Sequence, residues 1–273
     1  MKINRFFALV LLFVFYLLSP LAFGQGLNDS TYVFPQIVVG GGYKTNITIT
    51  NVMSAQLADV MDMSFFSQDG KSLTLNLFDP RPGQYSGECV GYNPGAFLGK
   101  SSLTLTLTSS SPTPVVGYAG VHIRRNSSGD DTARVSMQYS YLQNGSVVGQ
   151  ATVTSVQPVM GFGFHAVESA GVNQDTLKTG VAIVNLANGL PAHLTFKLRN
   201  ANGQEVVSTS LTLPQYVQIS KFVGEIIALP AGWSEGTVEV ISDQPILGMT
   251  LNFAISGIGT ATFSTGTTFQ FLN

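Results

Sequence analysis

Along most of the chain, apolar side chains fall at every second position, with Ser, Thr or Asn between them. Leu73, Leu75 and Leu77 form one such row, Leu103, Leu105 and Leu107 a second, and Val135, Met137, Tyr139 and Tyr141 a third. Further rows are Leu194, Phe196, Leu198; Leu211, Leu213; Val217, Ile219; Val238, Val240; and Leu247, Met249, Leu251, Phe253. A period of two sets one face of a strand against a core and the other toward water. The rows run about six to eight residues between turn signals, which predicts short strands. Those signals are Asp69-Gly70, Asn144-Gly145, Asn188-Gly189 and Asn202-Gly203, dipeptides that tolerate the positive φ of tight hairpins. Many such strands joined by such turns predict antiparallel sandwiches.

The rows recur. Lys44-Thr45-Asn46-Ile47-Thr48-Ile49-Thr50-Asn51 aligns with Lys178-Thr179-Gly180-Val181-Ala182-Ile183-Val184-Asn185, matching Lys, Thr, the final Asn and the alternating apolar positions. Asp69-Gly70 aligns with Asn202-Gly203 to within one residue, Pro114-Val115-Val116-Gly117 with Pro245-Ile246-Leu247-Gly248, and Phe34 with Phe164. Landmarks that keep both order and spacing, about 130 residues apart, mark an internal repeat. The expectation is an all-β chain of two tandem antiparallel immunoglobulin-like β-sandwich domains related by duplication. Residues 25–158 form the first and 159–273 the second. One helical turn is predicted near Phe222, Val223, Ile226 and Ile227, capped by Ser220 and ended by Pro230. Its counterpart, Pro80 to Gly99, reads as a Gly- and Pro-rich loop carrying Tyr85, Cys89, Tyr92 and Phe97.

The segment from Phe34-Pro35-Gln36 through Gly40-Gly41-Gly42-Tyr43 to Asn51 resembles the opening of a group of exported proteins from environmental bacteria, notably of acidobacterial type. They share an "FPQ…GGG(Y/W)…T" opening and a later strand of turn, Pro, apolar pair and Gly. The resemblance spans nearly the whole mature chain and implies a tandem β-sandwich fold and an exported address. It carries no activity.

Residues 1–24 have the layout of a secretory signal: Lys2 and Arg5, an apolar run from Phe6 to Leu18, Pro20, then small Ala22 and Gly24 before a cut ahead of Gln25. A spanning helix needs roughly 20 apolar residues, and Pro20 closes this run early. The mature chain is therefore expected to be secreted, periplasmic or cell-surface, with no stable membrane span. Cys89 is the one cysteine, so no internal disulfide can form. It reads as a packed small side chain, with an intermolecular bridge or reactive thiol as the sharper alternative. Without Lys2 and Arg5 the chain has 11 basic against 15 acidic residues, a net charge of −4. That balance argues against nucleic acid or anionic lipid as partner, and Asp130-Asp131 offset the pair Arg124-Arg125.

Candidate chemistry is thin. His122, His165 and His193 have no G-x-S-x-G elbow beside them, and no two lie close enough in sequence to suggest a zinc site. Asp130-Asp131 lacks the alternating ladder of a calcium loop and reads as a hairpin tip. Gly40-Gly41-Gly42 lacks the Lys-Ser/Thr of a phosphate loop and reads as a turn or bulge. Sequons at Asn28, Asn46, Asn126 and Asn144 matter only in a eukaryotic secretory route. No catalytic, metal or cofactor residue is assigned. The leading expectation is an exported, non-enzymatic structural or adhesion-type module with an unknown protein or polysaccharide partner. One alternative is carbohydrate binding through loop aromatics Tyr85, Tyr92 or Trp233. Another is a hydrolase with a carboxylate pair assembled in space. An outer-membrane barrel is disfavoured by the short rows.

Overall fold

The computed structural model describes residues 29–54, 61–95, 98–124, 133–170, 176–255, 261–266 and 268–269. It is all-β and antiparallel. The first unit comprises β1 (Asp29–Val39), β2 (Tyr43–Asn51), β3 (Met61–Ser67), β4 (Leu75–Phe78), β5 (Ser86–Cys89), β6 (Gly91–Tyr92), β7 (Ser102–Thr108), β8 (Val115–Arg124), β9 (Ala133–Gln143) and β10 (Ser146–Thr154). A four-stranded sheet has the order β1-β8-β3-β6, and a six-stranded sheet the order β10-β9-β2-β7-β4-β5.

The alternating rows explain how these sheets meet. Ile47, Ile49, Leu103, Leu105, Leu107, Val135, Met137 and Tyr139 point inward from the six-stranded sheet. They form one core with Phe34, Ile37, Phe65 and Val121 of the four-stranded sheet. Phe34 and Tyr139 are fully buried, and aromatic residues of that size dominate the burial that holds such cores together.

Gly40-Gly41-Gly42 is the corner that carries the chain from β1 in one sheet to β2 in the other. All three glycines have positive φ, and a Cβ on Gly41 would lie 2.7 Å from the Pro114 ring. Only glycine satisfies both the backbone conformation and that close approach.

The second unit comprises β11 (Val159–Ala170), β12 (Thr176–Asn185), β13 (Ala192–Arg199), β14 (Glu205–Leu213), β15 (Gln218–Phe222), the single helical turn α1 (Val223–Ile226), β16 (Glu235–Ile255), β17 (Ala261–Thr265) and β18 (Thr268–Phe269). Its strands join one sheet ordered β14-β13-β16-β11-β12-β15, with β17 on β16 and β18 on β11. β16 is 21 residues long. Its first half, to Ser242, pairs with β11 and β13, and its second half, from Ile246, with β12. The change of partner falls at Asp243-Gln244-Pro245, where the Ser242 hydroxyl donates to the Gln244 carbonyl at 2.6 Å. The strands are thus longer than the apolar rows suggest: β9 has 11 residues and β11 has 12. The polar ends of each row still pair with neighbours, which the apolar count misses.

Two further expectations need correction. Ser220 lies within β15 and does not cap α1; the Phe222 N–H instead donates to Glu225 Oε2 at 2.8 Å. The Pro80–Gly99 segment is not wholly loop, since β5 and β6 form within it and pair with β4 and β3.

The units are packed together. Val33 and Tyr118 of the first form a small core with Val184 and Leu247 of the second, and Ala182, Met249 and Leu251 join the first unit's core. The Tyr118 hydroxyl donates to the Tyr216 carbonyl at 2.8 Å. The Gln218 N–H donates to the Gln68 carbonyl at 2.8 Å, and its side-chain amide to the carbonyls of Gly117 at 3.0 Å and Pro35 at 2.5 Å. Among the described residues, no helix is long and apolar enough to cross a membrane.

Candidate functional site

One broad face built from regular structure is the exterior of the six-stranded sheet. Because β2, β7, β9 and β10 alternate, their outward positions are mostly Thr, Ser, Asn and Gln, with Lys44 and Arg134 toward the margins and Val147 exposed at the start of β10. Register aligns these into ranks running across the strands. Thr104 stands opposite Thr48, Thr48 opposite Ser136, and Ser136 opposite Thr154. In the next rank Phe78 stands opposite Thr106, Thr106 opposite Asn46, Asn46 opposite Gln138, and Gln138 opposite Thr152.

Side-chain hydrogen bonds fix these ranks laterally. The hydroxyls of Thr48 and Thr104 share one at 2.9 Å and those of Thr50 and Ser102 one at 2.8 Å. Thr106 donates to Asn46 Oδ1 at 2.9 Å, and the Gln150 amide to the Ser140 hydroxyl at 3.2 Å. Each hydroxyl in such a pair keeps bonding capacity for a further partner, since a hydroxyl has one donor and two acceptor sites. Phe78, at 54% exposure, is the one large apolar side chain in its rank. Sequence reading passed over Phe78, although its signal was present. Leu75 and Leu77 face inward, so Phe78 falls on the outward phase.

The second unit's exterior is different in kind. Arg199 Nη2 lies 2.7 Å from Glu239 Oε2 and Lys197 Nζ 3.8 Å from Glu205 Oε2. His165 Nε2 lies 3.5 Å from Glu235 Oε2 and His193 Nδ1 2.7 Å from Asp243 Oδ2. The His193 N–H also donates to Asp243 Oδ1 at 2.7 Å. The backbone and ring bonds from His193 hold the Asp243 carboxyl below the usual carboxylate range. The residues of this pair are 50 apart in sequence and meet only because β13 and β16 are neighbours. Sequence spacing offers no signal for that.

The loop after β4 carries a buried carboxylate. Asp79 is nearly inaccessible, and burial alone would raise its pKa. Bonds from the Arg81 side chain and backbone and from the Tyr92 hydroxyl hold it below the ordinary value instead. Arg81 Nη2 reaches Asp79 Oδ2 at 2.5 Å and the Pro94 carbonyl at 2.6 Å, and Tyr92 reaches Asp79 Oδ2 at 2.8 Å.

This network decides the standing of the loop aromatics. Tyr92 is half-buried and packs on the first core, and Trp233 is half-buried against the second. Neither is an exposed platform. Tyr85 remains exposed, with its hydroxyl bonded to the Glu88 carbonyl and its ring 5.9 Å from that of Tyr92. Cys89 is half-buried on β5, and burial raises its thiol pKa, so the reactive thiolate is disfavoured.

His122 lies on β8, Asn46 on β2 and Asn144 in the β9–β10 turn. Asp130-Asp131, Arg125, Asn28, Asn126, Phe97 and residues 1–24, where a secretory signal is expected, lie outside the described residues. Among the described residues, no cluster of three or more His, Cys, Asp or Glu side chains could hold a metal ion.

A cleft of about 300 Å³ lies between Leu177, Lys178, Asn252, Phe253 and Ser264. Beside it, a smaller one of about 100 Å³ shares Phe253 and reaches Gln36 and Lys221. Between them Lys178 is held 3.3 Å from Glu168 and 5.5 Å over the Phe222 ring.

No family model matches the chain, and no curated protein matches it. Among solved structures it is similar to procruciferin, an 11S globulin from Brassica napus, at 7% identity and a TM-score of 0.20, covering 87% of this chain and 78% of that one. It is also similar to a glycosyl hydrolase family 2 member from Bacteroides cellulosilyticus DSM 14838, at 10% identity and a TM-score of 0.16, covering 87% of this chain and 28% of that one. At such scores neither likeness bears on function.

Proposed function

We propose that the chain is an exported, non-enzymatic structural or adhesion-type module of the cell surface or extracellular matrix. In this reading its two units are immunoglobulin-like sandwiches descended from one duplicated ancestor, and residues 1–24 are removed on export. The observation that carries the reading is the union of a broad, hydrogen-bonded polar sheet face with two units fused through a shared core. A body of that kind presents a fixed surface, as a scaffold or adhesin must.

The carboxylates support it as well. Asp69, Asp79, Glu168, Glu205, Glu235, Glu239 and Asp243 each lie against a Lys, Arg or His. Acidic groups so placed serve as ion-pair partners, and a glycosidase pair needs two carboxyls facing one another across a substrate. The test is expression of the full chain in a bacterial host, with fractionation, N-terminal sequencing and protease treatment of intact cells. The expected result is a chain beginning at Gln25, found outside the cytoplasm. Retention in the cytoplasm with Met1 intact would overturn the reading.

A further inference from the structure

We infer that the exterior of the six-stranded sheet is a binding face for an extended, uncharged polysaccharide, lying across the strands along the rank Phe78, Thr106, Asn46, Gln138, Thr152. The inference rests on the surface-module reading above and adds to it a site and a ligand class.

Three observations converge. The first is the shape of the rank. Strands are spaced about 4.8 Å apart, so a rank crossing from β4 to β10 offers a row of polar side chains roughly 19 Å long. A linear sugar chain with several residues in contact has that form.

The second is chemical. A pyranose ring has apolar C–H faces and a hydroxyl-bearing edge, so its complement is an aromatic ring beside hydroxyl and amide groups. Phe78 is exposed at 54% although Phe is costly to leave in water, and it stands directly opposite Thr106. On the other side of Phe78 the exposed Ser86 of β5 stands opposite it and continues the rank with a hydroxyl. Beyond Phe78 the rank is entirely amide and hydroxyl. Thr106 is already bonded to Asn46, and the Gln138 amide reaches Thr152 Oγ1 at 3.4 Å. These side chains are therefore held in place before a ligand arrives, which lowers the ordering cost of binding.

The third is charge. On the second unit's exterior the outward positions carry Lys197, Arg199, Glu205 and Glu239 as ion pairs. The two ranks centred on Thr48 and Asn46 carry no charged side chain. Lys44 and Arg134 stand in the flanking ranks, so within the two central ranks a charged polymer finds no ion-pair partner, whereas a neutral one loses no ionic hydration.

The experiment is depletion binding of the purified full chain to microcrystalline cellulose, chitin and soluble mixed-linkage glucan, with polygalacturonate as the charged counterpart. Phe78→Ala and Gln138→Lys alter the rank at solvent-facing positions, and Val206→Ala on exposed β14 is the control. Saturable binding to at least one neutral polymer is expected, weakened about tenfold or more by each rank variant and unchanged in the control. Circular dichroism melts are expected to match the wild type for all three variants.

Lack of binding to every neutral polymer, a preference for polygalacturonate, or full binding by Phe78→Ala would each overturn the inference. Because the assay uses purified protein, its failure leaves the export reading intact. Cytoplasmic retention, in turn, would remove that reading whatever the binding result.

Discussion

In the first unit the strands on either side of Pro114, β7 and β8, belong to different sheets. In the second, the stretches on either side of Pro245 run on as the single strand β16. The exchange reaches their partners. β1 pairs with β8, the strand after the proline, while β11 pairs with the half of β16 that precedes it. β2 pairs with β7, before the proline, while β12 pairs with the half of β16 that follows. Alternation of apolar residues fixes which face of a strand is buried, but it is silent on which edge finds which neighbour. The connections decide that. Ser109 to Pro114 give the first unit six residues in which to change sheets, and Ser111 and Thr113 lie under the three-glycine corner. The second has only Asp243 to Pro245, and no run of glycines stands before Lys178.

The largest expected effects test whether the units are equal partners in stability. Phe34→Ala and Phe164→Ala each empty a fully buried site, one in each core, and should each cost about 3–5 kcal/mol. Because the first core includes Met249 and Leu251 of the second unit, each variant is expected to melt in one transition by calorimetry. Two separated transitions would show that the units fold independently.

A smaller effect is expected at the junction. Gln218→Ala leaves the carbonyls of Pro35 and Gly117 without their amide partner. The loss should be about 1–3 kcal/mol, read as a lower urea midpoint, and Gln218→Met should not restore it.

The smallest concerns the segments that differ most between the units, one secured by Asp79 and the other by α1. The folded pKa of Asp79 lies below its unfolded value, so its stabilisation is complete above the ordinary carboxylate pKa of about 3.9 and disappears as pH falls through the folded value. Asp79→Asn should therefore cost on the order of 1 kcal/mol at neutral pH, and the gap from wild type should close in melts below about pH 4. A gap independent of pH would mean that packing, and not charge, holds this loop.

Much of the fold is written locally. Leu103, Leu105 and Leu107 announce a strand and its inward face, and Asn144-Gly145 announces the β9–β10 hairpin. What escaped reading is what depends on neighbours distant in sequence. β5 and β6 are short and nearly devoid of apolar alternation, so they exist only because β4 and β3 offer them free edges. Ser220 looks like a helix cap until β12 draws it into a strand, opposite Ala182. Tyr92 and Trp233 look like loop aromatics until a carboxylate and a core claim them. At the sheet exterior, parity alone places Phe78 outside, but only register lines it up with Thr106.

The continuity of β16 also has a mechanical meaning. A load drawn along this strand is resisted by β11, β13, β12 and β17 together, so many backbone hydrogen bonds must shear at once. β7 and β8 lie in different sheets and are joined through an irregular segment, so they do not share that continuity. A force along β16 therefore meets a single strand of 21 residues, against 11 in the longest strands of the first unit.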